Sequence, residues 1–177
     1  MFDWTLLHPM VVHFPIALLI AGFLFELIAA FSGKEFFGKA ALYLLVLGTA
    51  GAVAAYFSGE FAGEGLSESG SLKNALEAHE EAAKMAMGIM VLTAIVRIAL
   101  VVVHAYRGLY RAAAVLLYMI GVLLVSRTGY YGGELVYKHA AGVQLSLGAD
   151  VQNAGSGALP PAYGGEDNDD DDDDDDD

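Results

Sequence analysis

Four long apolar blocks dominate the chain, from about His8 to Phe31, Gly38 to Ser58, Lys73 to Tyr106 and Leu109 to Ser126. A hydrocarbon layer of about 30 Å takes ~20 helical residues to cross, and each block reaches that length. In lipid an unpaired backbone N–H or C=O finds no water, so a lone segment of this kind must satisfy itself as a helix. The blocks predict an all-α fold, a four-helix transmembrane bundle over residues 1–146, in which the mixed stretch from Thr128 to Val143 after the fourth block is interrupted at Gly132-Gly133. Residues 147–177 are rich in Gly, Pro, Asn and Ala and end in the run Asp169–Asp177. They read as an extended or disordered acidic tail.

Composition removes several function classes. The 177 residues contain no cysteine. Disulfides, thiolate catalysis, iron–sulfur ligation from this chain and covalent c-type haem attachment are therefore excluded. The formal charge of −13 owes ten of its negative charges to Asp167 and Asp169–Asp177, which leaves the body close to neutral. No basic patch argues for nucleic acid. Met1-Phe2-Asp3-Trp4 lacks the basic start of a signal peptide, so the first helix is expected to be retained.

Lysine and arginine near the helix ends set an orientation. The connection between helices 1 and 2 carries Lys34 and Lys39, and that between helices 3 and 4 carries Arg107 and Arg111. The positive-inside rule puts both connections in the cytoplasm. Both termini then lie outside, on the periplasmic side of a bacterial inner membrane.

That threading gathers histidines that are scattered in sequence. His8 and His13 open helix 1, His79 opens helix 3 and His139 follows helix 4, all at the outer face; His104 stands alone at the other. Imidazoles from facing helices can hold haem iron inside a bundle, and clustered imidazoles equally suit zinc or copper. His79-Glu80-Glu81 lacks the HExxH spacing of a zinc hydrolase, because Ala83 occupies the second histidine's place. His8 and His13 are five residues apart, about 140° around a helix, so they point at one iron only if the helix breaks between them. Pro15, which removes the hydrogen bond to Val11, makes this turn irregular. Small residues on helix 2 (Gly48, Gly51, Ala52, Ala55, Gly59), with Gly88 and Gly121, leave room for a flat macrocycle or for close helix packing. Arg127 suits haem propionates or a snorkelling anchor.

Two charges fall inside the apolar blocks. Glu26 lies ~27 Å of helical rise beyond His8, and Arg97 ~27 Å beyond His79, on helices that run the same way. An intramembrane Glu26–Arg97 ion pair follows, serving as a structural lock or as part of a proton or quinone site.

The segment His8-Pro9-Met10-Val11-Val12-His13-Phe14-Pro15 resembles the opening of the domain-of-unknown-function family 2231, four-helix bacterial membrane proteins. Gly132-Gly133-Glu134-Leu135-Val136-Tyr137-Lys138-His139 is similar to that family's closing GGxLVYxHG signature, with Ala140 in place of the glycine. Ser58-Gly59 and His79 also fit, and the resemblance spans about residues 6–143. Relatives occur with Rieske-type or c-type cytochrome domains, which implies membrane electron transfer. The matched histidines are His8, His13, His79 and His139.

The reading that joins these features is a haem b-binding membrane subunit of a respiratory or photosynthetic electron-transfer complex. It is an electron-transfer subunit more than a stand-alone enzyme. His13 and His79 form the expected first axial pair, with His8 and His139 as a second if two haems are present. Electrons would pass at the outer face to or from quinol or a cytochrome. The alternative is a non-catalytic membrane scaffold that anchors a larger complex.

Overall fold

The computed structural model describes residues 7–63 and 70–141, and all of its regular structure is helical. The elements are α1 (Leu7–Val11), α2 (His13–Ser32), α3 (Glu35–Gly63), α4 (Gly70–Val102) and α5 (Gly108–His139). α1 and α2 together form one span, so four helices are long and apolar enough to cross a membrane: Leu7–Ser32, Glu35–Gly63, Gly70–Val102 and Gly108–His139. The acidic tail and residues 64–69 of the polar loop lie outside the described residues.

The break between α1 and α2 has a local cause. Proline lacks the N–H that would continue the ladder, and Pro15 stands two residues into α2. Val12 N still donates to His8 O at 3.1 Å, but the Pro9 carbonyl accepts from the His13 imidazole Nδ1 at 2.8 Å. α2 ends on Gly33, whose φ of +68° is the left-handed conformation that glycine adopts most cheaply. A two-residue connection then leads into α3. That helix begins earlier than the apolar block, because Glu35 opens the first turn and pairs with Lys39 at 3.0 Å.

Two expected boundaries change. The third span was expected to run to Tyr106, but α4 stops at Val102: His104 turns left-handed at φ +55°, and Ala105 N returns to Leu100 O at 2.8 Å. The reversal carries Tyr106 back towards the bundle. Gly132-Gly133 was expected to interrupt the last helix, yet α5 continues through it to His139. Away from water a helix keeps its ladder even through glycine, since no solvent competes for the freed groups.

The spans pack in a ring, α2 on α3, α3 on α4, α4 on α5 and α5 on α2. A single repeat produces this. Buried positions in α2 are Pro15, Leu19, Gly22, Glu26 and Ala29; in α5 they are Ala114, Tyr118, Gly121, Val125 and Leu135. The alternating spacing of four and three keeps one narrow seam inward, as in a coiled coil. Leu19, Leu45, Met90 and Tyr118 fill the middle. The outward faces hold large apolar side chains such as Phe31, 90% exposed, and Leu109, 82% exposed. That pattern is inverted relative to a water-soluble domain and suits a lipid solvent.

Glycines on the seam allow the close approach. A Cβ at Gly48 would meet the Leu19 side chain at 2.7 Å, one at Gly51 would meet Pro15 at 3.3 Å, and one at Gly121 would meet Met90 Sδ at 2.8 Å. Of the two roles open to the small residues, these three serve helix packing, because neighbouring side chains occupy the space. Replacing Gly48 with Leu should cost about 1–3 kcal/mol of stability through overpacking. Gly88→Ala, where nothing lies within 4 Å, should not destabilise. Unfolding midpoints of the two purified variants in one detergent check this, and equal midpoints would contradict the packing role.

Candidate functional site

The inward seam can be followed past the core to both ends of the bundle, where it becomes polar. His8 stands seven residues before Pro15, and His79 seven before Ala86, so each continues the buried face of its helix. On α3 the seam reaches Ala55 and Gly59, and on α5 it reaches Thr128 and Gly132. These six positions meet at one end.

There the imidazoles of His8 and His79 face each other, with ring centroids 6.3 Å apart and planes at 84°. His8 Nδ1 donates to the Ala55 carbonyl at 2.9 Å and lies 3.1 Å from Ser58 Oγ. The Ser58 hydroxyl itself donates to Ala55 O at 2.8 Å, so towards His8 its oxygen accepts. His79 Nδ1 donates to the Thr128 carbonyl at 3.1 Å. A carbonyl only accepts, so both bonds require the proton on Nδ1 and leave Nε2 unbonded to the backbone. Each ring rests on a glycine: a Cβ at Gly59 would come 2.9 Å from His8 Cε1, and one at Gly132 would come 3.3 Å from His79 Cε1. A Cβ at Gly59 would force the His8 ring to shift, and one at Gly132 would press on His79 by a few tenths of an ångström.

The remaining expected ligands lie elsewhere. His13 is exposed, with its Nδ1 tied to Pro9 in its own helix. Val12 keeps helical angles, φ −59° and ψ −31°, across the junction, so His13 stays about 140° from His8 and off the seam. The imidazole that faces His79 is therefore that of His8, whereas His13 had been expected there. His139 is half-buried at the end of α5 and shares no ring contact with another histidine among the described residues. Arg127 is exposed, and its Nη2 donates to Tyr131 Oη one turn on, at 3.0 Å. Its guanidinium sits 5.2 Å from that ring's centroid. Gly59, Thr128 and Gly132 were not expected at the site as contact residues. Their signal was the seam itself, since each lies at heptad spacing from a buried residue.

The opposite end holds the second polar cluster. Glu26 is fully buried and Arg97 is 4% exposed, and the Arg97 guanidinium donates to Glu26. Arg97 Nη2 also donates to the Gly38 carbonyl at 3.1 Å, and Arg111 Nε donates to Glu26 Oε1 at 3.3 Å. Tyr106 closes the group, its hydroxyl donating to Glu26 Oε1 at 2.7 Å and its ring lying 3.9 Å below the Arg97 guanidinium carbon. Burial raises the Tyr106 phenol well above its ordinary range, which keeps the hydroxyl protonated as the donor to Glu26. One carboxylate thus answers two guanidiniums in a dry setting, and Arg97 Nε has no partner among the described residues.

A four-span helical bundle with one polar cluster at each end is the class of membrane protein defined here. The chain belongs to the family described as "predicted membrane protein (DUF2231)", whose model matches residues 5–145. No curated protein and no solved structure matches it. The segments that carry the family resemblance are far apart in sequence. Two of their residues, His8 and His79, meet as a ring pair, and two others, Gly59 and Gly132, lie against those rings.

Because an unpaired buried charge costs far more than a paired one, Glu26→Gln should destabilise the bundle by about 3–5 kcal/mol. Glu35→Gln, at an exposed pair, should change little. Denaturant midpoints measured on both variants decide it; an unaltered midpoint for Glu26→Gln would show that the cluster contributes nothing.

Proposed function

We propose that the protein is a haem b-carrying subunit of a membrane electron-transfer complex, with His8 and His79 as the axial ligands. The observation that carries this is the facing imidazole pair, each ring with Nδ1–H anchored on a backbone carbonyl. Metal-bound histidines are typically held in that way: the anchoring bond fixes the tautomer and orients Nε2. Two imidazoles are the full protein share of a six-coordinate haem, since the macrocycle supplies the other four nitrogens.

When bound, haem would supply a one-electron couple at this end of the bundle. The chain's part is to hold two imidazoles on separate spans. Ala55, Ser58 and Thr128 fix their tautomers, and Gly59 and Gly132 fix how deep they sit. No imidazole pair stands at the arginine end among the described residues, so the proposed electron exchange is confined to the histidine end. With the basic connections in the cytoplasm, that end is the outer face of a bacterial inner membrane, and both termini lie outside. Quinol or a cytochrome c or Rieske-type protein is the proposed redox partner there.

A second reading has its own support. The same hydrogen bonds and glycine contacts tie α1 to α3 and α4 to α5, which is what a scaffold subunit would need of these histidines. Reduced-minus-oxidised spectra of the purified protein separate the two. The haem reading expects a b-type band that His8→Ala and His79→Ala abolish and that His13→Ala and His139→Ala preserve. No band in the wild-type protein, or a band that survives both of the first two substitutions, would reject it in favour of the scaffold.

A further inference from the structure

Between α2 and α5 the arginine end opens sideways to lipid through a groove of about 420 Å³. Phe23, Leu27 and Phe31 line one side, Val115 and Met119 the other, and Arg111 stands in it near the start of α5. The groove is apolar except at this mouth. Arg111 is the half-exposed member of the polar cluster, with 29% of its side chain accessible, and it is bonded to Glu26 through Nε alone. The two terminal nitrogens of its guanidinium have no hydrogen-bond partner among the described residues.

The charge balance indicates what belongs there. Glu26 is shared between Arg97 and Arg111, so the cluster holds one positive charge more than it can neutralise. Uncompensated charge next to hydrocarbon is costly, and the cost falls if an anion meets the cation at the boundary. The neighbouring residues Arg107 and Gly108 leave the helix start free of acidic side chains. A guanidinium fork with two open donors matches a phosphate diester. An acyl chain suits the apolar trough that leads away from it.

We propose that this groove binds one acidic phospholipid, its phosphate on Arg111 and one acyl chain along the α2–α5 trough. The site is independent of the haem reading. It lies at the opposite end of the bundle and shares no residue with the histidine pair. Lipid bound there would shield the cluster's excess charge and seal the α2–α5 seam.

The test uses the full-length purified protein with phosphatidylglycerol and phosphatidylcholine of identical chains, supplied in equal amounts, and native mass spectrometry to count retained lipids. The wild type should retain one phosphatidylglycerol in preference to phosphatidylcholine. Arg111→Gln should lower that preference about fivefold, the effect expected of one basic residue at an anionic lipid surface. Arg111→Lys should keep part of it. If Arg111→Gln does not assemble, Ala112, which also lines the groove, offers a second variant: Ala112→Trp fills the groove with Arg111 intact and should cut retention of phosphatidylglycerol while circular dichroism shows unchanged helix. Equal retention of the two lipids by the wild type overturns the proposal. So does an Ala112→Trp protein that retains phosphatidylglycerol as the wild type does, or a retained quinone in place of phospholipid. Glycerol phosphate competing as well as the intact lipid would also overturn it, since the trough would then contribute nothing.

Discussion

Hydrogen bonds from side chains to backbone carbonyls of neighbouring helices tie this bundle together. His8 reaches Ala55 O, His79 reaches Thr128 O, Arg97 reaches Gly38 O and Tyr118 reaches Leu19 O at 2.9 Å. These bonds join α1 to α3, α4 to α5, α4 to α3 and α5 to α2. In lipid the hydrophobic effect does not drive helix against helix, because the tails are as apolar as the side chains. Association then rests on close packing and on such polar contacts. Each donor is also a residue that would be expensive to leave unpaired at its depth. The same bond therefore relieves a cost and fixes a register.

Those bonds depend on the seam that brings the helices close. Tyr118 reaches the Leu19 carbonyl because Gly22 leaves space for its hydroxyl, and His8 reaches Ala55 because Gly59 lies under its ring. Glycine on one helix and a polar or bulky partner on the next form paired elements, repeated from end to end. Where the seam leaves the apolar middle, its next positions are histidine at one end and glutamate or arginine at the other. The two polar clusters are thus continuations of the packing pattern into zones where polar groups are less costly. Any function at either end acts on groups that also hold the helices together.

The four spans were legible because length and apolarity alone decide them. The gathering of histidines at one end followed from counting helix directions. The proximity of Glu26 and Arg97 followed from equal rise along parallel helices, and the two side chains do pair in the structure. The identity of the facing imidazoles was less accessible. His13 and His8 lie in the same two turns, and only the phase of the buried seam distinguishes them: Pro15, Leu19 and Gly22 set that phase, and His8 shares it. Arg111 and Tyr106 were not legible as partners of Glu26. Arg111 read only as a topology-setting charge of the connection before the last span, and Tyr106 comes back only because His104 adopts a left-handed turn, a conformation that nothing in Val103-His104-Ala105 announces.

His8 and His79 are held by their Nδ1–H on the carbonyls of Ala55 and Thr128. Nitrogen-15 NMR of imidazole-labelled protein in bilayers reads this directly, ring by ring, with His8→Gln and His79→Gln spectra for assignment. The account predicts that in the metal-free protein Nδ1 carries the proton and Nε2 is bare on both rings. A protonated Nε2 with a bare Nδ1 on either ring would contradict it, because no backbone carbonyl could then be holding that imidazole.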